Sequence, residues 1–465
     1  MKFRMELILF QAEPPANRPG LFPGRRSVLT LLLLVSFTKT SVAQTAGSGI
    51  DTNPEIITVT SSQTFVRRGP SATSPRAGVV KKGARMSVVG RVRGIGCIGD
   101  WLKLAVGGYI CSEETTLTRE KPGGPRHPVM EPRKRLPFRY IIMGAHGGHE
   151  YANIEDALAD LPIAFLERGF GRTYERVIRI NGLRFYLTTR QTLIPVEEAF
   201  RVKGSDLSGI ELREKGSMQL PVVFIYQDRT PVYNSPGGRI VKRVERFRTF
   251  MADKMKVGKR RNRYIRIPPH GFVRANDVRL AVRTSPPIET GLNGKWVDLD
   301  ISEQVLVAYE GETPVYAALM SSGRGNRTPT GVFRVWAKLA ATDMSNDPEA
   351  ERHYSLWNVP WTLFYHRGYG IHGTYWHNRF GHRRSYGCIN LSPRDAKWIF
   401  DWSSPELHPG WWARLPARNE DSLVVRVRKS TPEEKWKSFE VPIPPKRSVH
   451  DLPVKVRPRS ISIHP

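Results

Sequence analysis

The apolar positions of this chain fall mostly in short alternating runs, the period-two pattern of strands, broken every few residues by Gly, Pro or Ser. Between residues 56 and 117 such runs lie at 59–66, 86–92, 101–106 and 108–110 and predict a small all-β unit. A second stretch, 220–282, repeats the layout: 231–236 answers 64–70, and Gly271-Phe272-Val273-Arg274 answers Gly108-Tyr109-Ile110-Cys111. In each copy an aromatic-bearing run, 101–104 or 264–267, comes shortly before that glycine. Recurrent short strands of this kind predict two small barrels. Between them, 151–168 carries Ile154, Ala157, Leu158, Leu161 and Phe165 at helical spacing and predicts a helix. Residues 177–202 read as strands again, a candidate third barrel-like element, so 138–290 forms a middle region holding a helix and the second barrel.

From 294 to 428 the texture changes. Residues 296–301 alternate, a turn follows, and 304–309 completes a β-hairpin signal, with further strands predicted at 314–321, 331–337 and 422–427. One helix is marked by its start: Ser392 as cap, Pro393 in the first turn and Asp395 behind it, ahead of Ala396, Ile399 and Phe400. Residues 122–137 form a basic, proline-containing linker, and the proline-rich tail 431–465 predicts extended or disordered chain. The whole is predicted multidomain and mainly β.

Length and composition agree with that division. A chain of 465 residues exceeds one hydrophobic core and predicts two to four domains, while 40% apolar and 25% charged residues exclude wholesale disorder. The net charge of +29 calls for a polyanionic surrounding, either nucleic acid or an anionic cell envelope. The N-terminus favours the envelope. Arg25 and Arg26 precede a short apolar stretch, 28–37, followed by Ser41-Val42-Ala43, the pattern of a secretory signal within 1–43. The paired arginines leave Sec and twin-arginine export both open. Export to the periplasm or cell envelope removes nucleic acid as a partner, and no apolar run is long enough for a transmembrane span. Three cysteines occur. Cys97 and Cys111 flank one predicted strand and are candidates for a disulfide, which leaves Cys388 as the odd thiol.

That thiol sits in the segment carrying chemistry. Ile371-His372-Gly373-Thr374 is followed, sixteen residues after the histidine, by Ser385-Tyr386-Gly387-Cys388-Ile389-Asn390-Leu391. A thiol becomes a nucleophile when an imidazole takes its proton, and a glycine before it lets backbone amides turn toward an oxyanion. With the opening hairpin and Thr328-Pro329-Thr330-Gly331-Val332-Phe333, these motifs resemble the L,D-transpeptidase (YkuD) catalytic domain over 294–428. The resemblance implies a YkuD-type β-sandwich with one short helix, and the preceding barrels resemble bacterial Src-homology-3-like domains. It implies that Cys388 attacks a peptidoglycan tetrapeptide stem, that His372 is the proton donor and acceptor, and that the backbone around Tyr386, Gly387 and Cys388 forms the oxyanion hole. No metal or cofactor is implied. The family usually has histidine where this chain has Tyr386.

The intervening loop supplies Trp376, Asn378, Arg383 and Arg384 as candidate substrate-binding residues, joined by Asn390 behind the cysteine, which also reads as a brace for the loop. The two arginines suit stem-peptide carboxylates through forked hydrogen bonds. Trp357, Trp361, Tyr365, Trp398, Trp411 and Trp412 read as core and cleft wall. Three other readings stay open: an L,D-carboxypeptidase on the same scaffold, a non-catalytic wall-binding protein, and a zinc site on His372, His377, His382 and Cys388.

Overall fold

The computed structural model describes residues 55–439 apart from 126–127, 213–217, 259–261, 292–293, 348, 351–352, 419 and 438. The predicted signal segment 1–43, and the tail at 438 and from 440 onward, lie outside the described residues.

Strand-forming patterns dominate, and each group of strands closes over its own apolar cluster. The first unit holds seven short strands from Glu55–Val59 to Thr115–Thr118 around Ile57, Val66, Val80, Leu102 and Ile110. The second runs from Arg139–Met143 to Ala199–Arg201 around Ile141, Met143, Phe170, Tyr186 and Ile194. The third runs from Val222–Ile225 to Val278–Ala281 around Val223, Ile225, Val232, Ile265, Val273 and Leu280. All three end alike, with a single 3-10 turn (Ser112–Glu114, Val196–Glu198, Ala275–Asp277) leading into a short last strand. Cys97 and Cys111 are joined as a disulfide in the first.

The C-terminal unit is two sheets hinged on one strand. Gly331–Arg334, Val424–Arg428, Lys295–Asp300, Val305–Glu310 and Thr313–Ser321 lie side by side in that order. The far end of Thr313–Ser321 crosses to the second sheet, where Ile389–Leu391, Tyr369–Gly373, Ser355–His366, Ala337–Ser345 and Trp411–Arg414 follow in order. Val297, Leu299 and Leu306 of one sheet meet Trp361, Leu363, Ile371 and Ile389 of the other, together with Ile399 and Phe400 of the helix Pro393–Trp402. That helix starts as its sequence dictates. Ser392 Oγ accepts the Asp395 amide at 3.1 Å, and Pro393 occupies the first turn, where no N–H is needed.

Four expectations differ from the structure. The predicted helix 151–168 is only Ile154–Leu158, capped by Asn153. Asp160 turns left-handed (φ 53°) and Pro162 lacks an amide to continue the helix, so Phe165 falls in a strand, Ala164–Leu166. Ile154, Leu158, Leu161 and Phe165 are exposed, and only Ala157 of that stripe is buried. The run 59–66 breaks at 60–62 into Glu55–Val59 and Gln63–Arg67, and 331–337 stops at Arg334. The tail opens with a short helix, Pro432–Lys437, where Thr431 Oγ1 accepts the Glu434 amide. Among the described residues no helix is long and apolar enough to cross a membrane.

Candidate active site

The adjoining strands Tyr369–Gly373 and Ile389–Leu391 set the geometry. They run parallel, with Ile371 opposite Ile389, His372 opposite Asn390 and Gly373 opposite Leu391. Paired residues point to one face of a sheet, so His372 and Asn390 share a side, and Cys388 enters immediately before that pairing begins. The Cys388 thiol lies 3.7 Å from Gly368 O, at the turn that leads into the His372 strand.

His372 is 2% exposed, and its Nδ1 lies 3.3 Å from Gly373 O. A carbonyl only accepts, so this contact puts the ring proton on Nδ1 and leaves the Nε2 lone pair to act as a base. Burial pushes the His372 pKa down to about 4, against a smaller upward pull from that hydrogen bond. Cys388 keeps partial exposure, yet the crowding around its sulfur pushes the thiol up to about 11, against a backbone hydrogen bond from Gly370. Both groups are therefore neutral at neutral pH.

The approach to the thiol is bent by Gly387, whose φ of 141° suits glycine, and an added Cβ would lie 2.1 Å from Tyr369 Cε1. Thr328 Oγ1 donates to Gly387 O at 2.8 Å, and Ser385 Oγ donates to Cys388 O at 2.6 Å. The Gly387 amide, expected to face an oxyanion, instead donates to Ser385 Oγ at 3.0 Å, because that hydroxyl bridges both sides of the turn. Tyr386 stacks on Tyr354 at 5.5 Å, with the Arg327 guanidinium 5.4 Å from its ring centre. Burial, and then the neighbouring Cys388, push the hydroxyls of Tyr354 and Tyr365 upward. The buried Tyr365 hydroxyl has no hydrogen-bond partner among the described residues. Sequence reading placed Tyr365 in the wall but missed Tyr354, which lies outside every motif.

The candidate substrate residues divide. Trp376 packs against the His372 ring at 5.6 Å. Asn378 is turned away to the middle region: its Oδ1 accepts from Ser205 Oγ at 2.6 Å and its carbonyl from Arg246 at 3.1 Å. Arg383 is tied to Asn326 Oδ1 at 3.3 Å and Ile301 O at 3.1 Å. Arg384 lies near Arg324 and Arg379, and burial and then their charges lower its pKa. Asn390 braces His377, with Nδ2 2.8 Å from His377 Nε2, while the Arg379 amide donates to His377 Nδ1 at 3.3 Å. Burial, followed by Arg384, His372 and Arg324, holds His377 down at about 3. Sequence reading placed His377 in this loop and weighed it as a metal ligand, without assigning it this contact with Asn390.

Among the described residues, only Cys97, Cys111 and Glu113 gather ligand atoms within 4.8 Å of one another, and two of those are the bonded sulfurs. A cavity of about 390 Å³ lies beside the end of the helix Pro393–Trp402, but its lining includes neither Cys388 nor His372. Its floor is Lys338, whose ammonium donates to Phe400 O at 2.6 Å and Ser403 O at 2.7 Å, closing the helix C-terminus.

A two-sheet β unit thus carries a partly exposed thiol next to a strand holding a buried, neutral imidazole. Residues 294–420 match the model of the YkuD family, the L,D-transpeptidase catalytic domain, and this unit is a domain of that family. The chain is 26% identical over 116 residues to YciB of Bacillus subtilis (strain 168), whose name provisionally assigns it to the L,D-transpeptidases. That match covers 23% of this chain and 59% of YciB, less than two thirds of the relative. Among solved structures, L,D-transpeptidase 3 from Mycobacterium tuberculosis is 19% identical, with 30% of this chain and 62% of that chain covered at a TM-score of 0.24. The catalytic domain from the E. faecium L,D-transpeptidase is 22% identical, with 30% and 99% covered at a TM-score of 0.23.

Proposed function

We propose that the chain is an exported peptidoglycan L,D-transpeptidase of the periplasm or cell envelope, with Cys388 as nucleophile and His372 as general base and acid. The reading is carried by one observation: the Gly373 carbonyl fixes the His372 proton on Nδ1 and frees Nε2 on the strand beside the thiol. Cys388 Sγ attacks the carbonyl carbon between the third and fourth residues of a stem tetrapeptide as its proton passes to Nε2. The oxyanion so formed is met by backbone N–H groups at the Cys388 turn. Its collapse breaks the C–N bond, the leaving amine takes the proton from Nε2, and D-alanine departs. An acceptor amine then attacks the thioester, loses a proton to Nε2, and the sulfur leaves and regains that proton. Wall anchoring by the β units, through the chain's positive charge, belongs to the same reading.

Intact mass after incubation with a tetrapeptide donor tests it. An adduct equal to the donor less D-alanine is expected on the unaltered chain and none on Cys388→Ala; equal behaviour of the two ends the proposal. Product mass separates amine transfer from hydrolysis by an L,D-carboxypeptidase. A thiol inert to both donor and carbapenem leaves a wall-binding protein.

A further inference from the structure

The loop between the two functional side chains is held from outside its own domain. Phe380, at the loop's centre, is fully buried in a core shared by two units: Val222, Phe224, Tyr226 and Ala281 from the third, and Val305, Val307 and Leu319 from the catalytic sheet. The catalytic domain grips the loop backbone at Arg379 O, from Ser321 Oγ at 3.0 Å, and at the Gly381 amide, which donates to Met320 O at 2.9 Å. The third unit grips the carbonyls left over. Arg279 Nε donates to Gly381 O at 2.8 Å, and Arg246 Nη1 donates to Asn378 O at 3.1 Å. The Arg279 guanidinium is itself seated 4.0 Å over the Tyr226 ring, which meets His382 edge-on at 4.8 Å. Gly381 permits this approach, with φ at 86° and space so tight that a Cβ would lie 2.5 Å from Tyr226 Cβ. At its near end the same loop presses Trp376 on His372 and sets His377 on Asn390.

We propose that the unit spanning 222–281 is a built-in positioning element for the catalytic loop, with Arg279 and Arg246 as its positioning residues rather than parts of a wall-binding surface. The inference rests on the acyl-transfer reading. Buried carbonyls left without donors are costly, so losing Arg279 frees the loop to re-orient. A shift of one ångström in a reacting geometry is enough to slow chemistry by about a hundredfold.

The test uses the full chain and a carbapenem as acylating probe, followed by intact mass at several concentrations to separate the saturating rate from the half-saturating concentration. Arg279→Ala is expected to lower the saturating acylation rate by about tenfold or more, with half-saturation little moved. Arg279→Lys, which keeps a donor for Gly381 O, recovers most of that loss. Arg243→Ala, which removes a bond internal to the third unit (to Arg229 O at 3.2 Å), acylates like the unaltered chain whatever its melting temperature. An adduct forming on Arg279→Ala at the unaltered rate overturns this inference alone, as does a loss that lysine fails to relieve and that follows the unfolding midpoint. No adduct on the unaltered chain overturns the acyl-transfer reading and this one with it.

Discussion

Replacing His372 with alanine separates two descriptions of the nucleophile. In an ion pair, the imidazolium holds the thiol as thiolate, and losing it raises the thiol pKa sharply. Here burial sets the thiol at about 11 and the imidazole at about 4, so the resting pair is neutral and the thiol titrates almost alike in both proteins. At pH 7 such a thiol is ionised to about one part in 10,000, against about 3% for a free cysteine of pKa about 8.5, a deficit of about 300-fold. The more basic thiolate is intrinsically faster, by about 10- to 20-fold at a Brønsted slope of about 0.4–0.5. Alkylation of Cys388 by iodoacetamide at pH 7 is therefore expected about 20-fold slower than that of a free thiol, rising with pH toward about 11. Acylation by a carbapenem behaves differently. It needs only a neutral His372, so it stays level from about pH 5 to 9, falls as pH drops through about 4, and is lost in His372→Ala. An alkylation midpoint below pH 8 in the unaltered chain, moving upward in His372→Ala, refutes the neutral pair.

Asp395 is fully buried, with Oδ1 accepting from Gly209 N at 2.5 Å and from Tyr316 OH at 2.8 Å, and burial raises its pKa to about 6. A carboxyl raised from about 3.9 binds its proton more tightly when folded; its contribution of about 3 kcal/mol is full below about pH 4 and lost as pH rises through 6. Denaturant unfolding should show that loss in the unaltered chain and not in Asp395→Asn; equal pH dependence of the two refutes it. Gly387→Ala should abolish acylation while leaving the first unit's folding intact, since the added methyl meets the Tyr369 ring; full activity would contradict the turn geometry. The double substitution of Cys97 and Cys111 by serine opens a loop of 14 residues and should cost about 3 kcal/mol of stability in denaturant titrations, with Cys388 acylation unaffected.

Local structure was legible in the sequence and long-range contact was not. The His372 and Cys388 segments, the hairpin before them and the Ser392 cap all depend on neighbours within a few residues, so their residue types announce them. Tyr354 lies near the thiol from just before the strand Ser355–His366, which only the folded sheet brings there, and no spacing rule encodes that. Asn378 read as substrate-facing because it is polar and lies in a loop, yet its partner Ser205 is 173 residues away. In the 151–168 segment a helical stripe of apolar residues was outweighed by Pro162 and the left-handed Asp160, which end the helix after five residues.

A neutral resting pair also explains why the loop is so firmly held. Where a thiolate stands ready, the imidazole has already done its work and its position matters less at the moment of attack. On the proposed acyl-transfer reading the proton must move as the carbon–sulfur bond forms, so the rate would depend on Nε2 lying in line with the thiol during that event. The dry surroundings that put the two pKa values far apart also strengthen each dipole facing the reacting atoms, provided those dipoles do not wander. Trp376 and His377 belong to that shell, and both hang on a loop that carries no regular secondary structure of its own. Burying Phe380 between two units, and satisfying the loop's spare carbonyls with arginines from the third, gives that segment a fixed position.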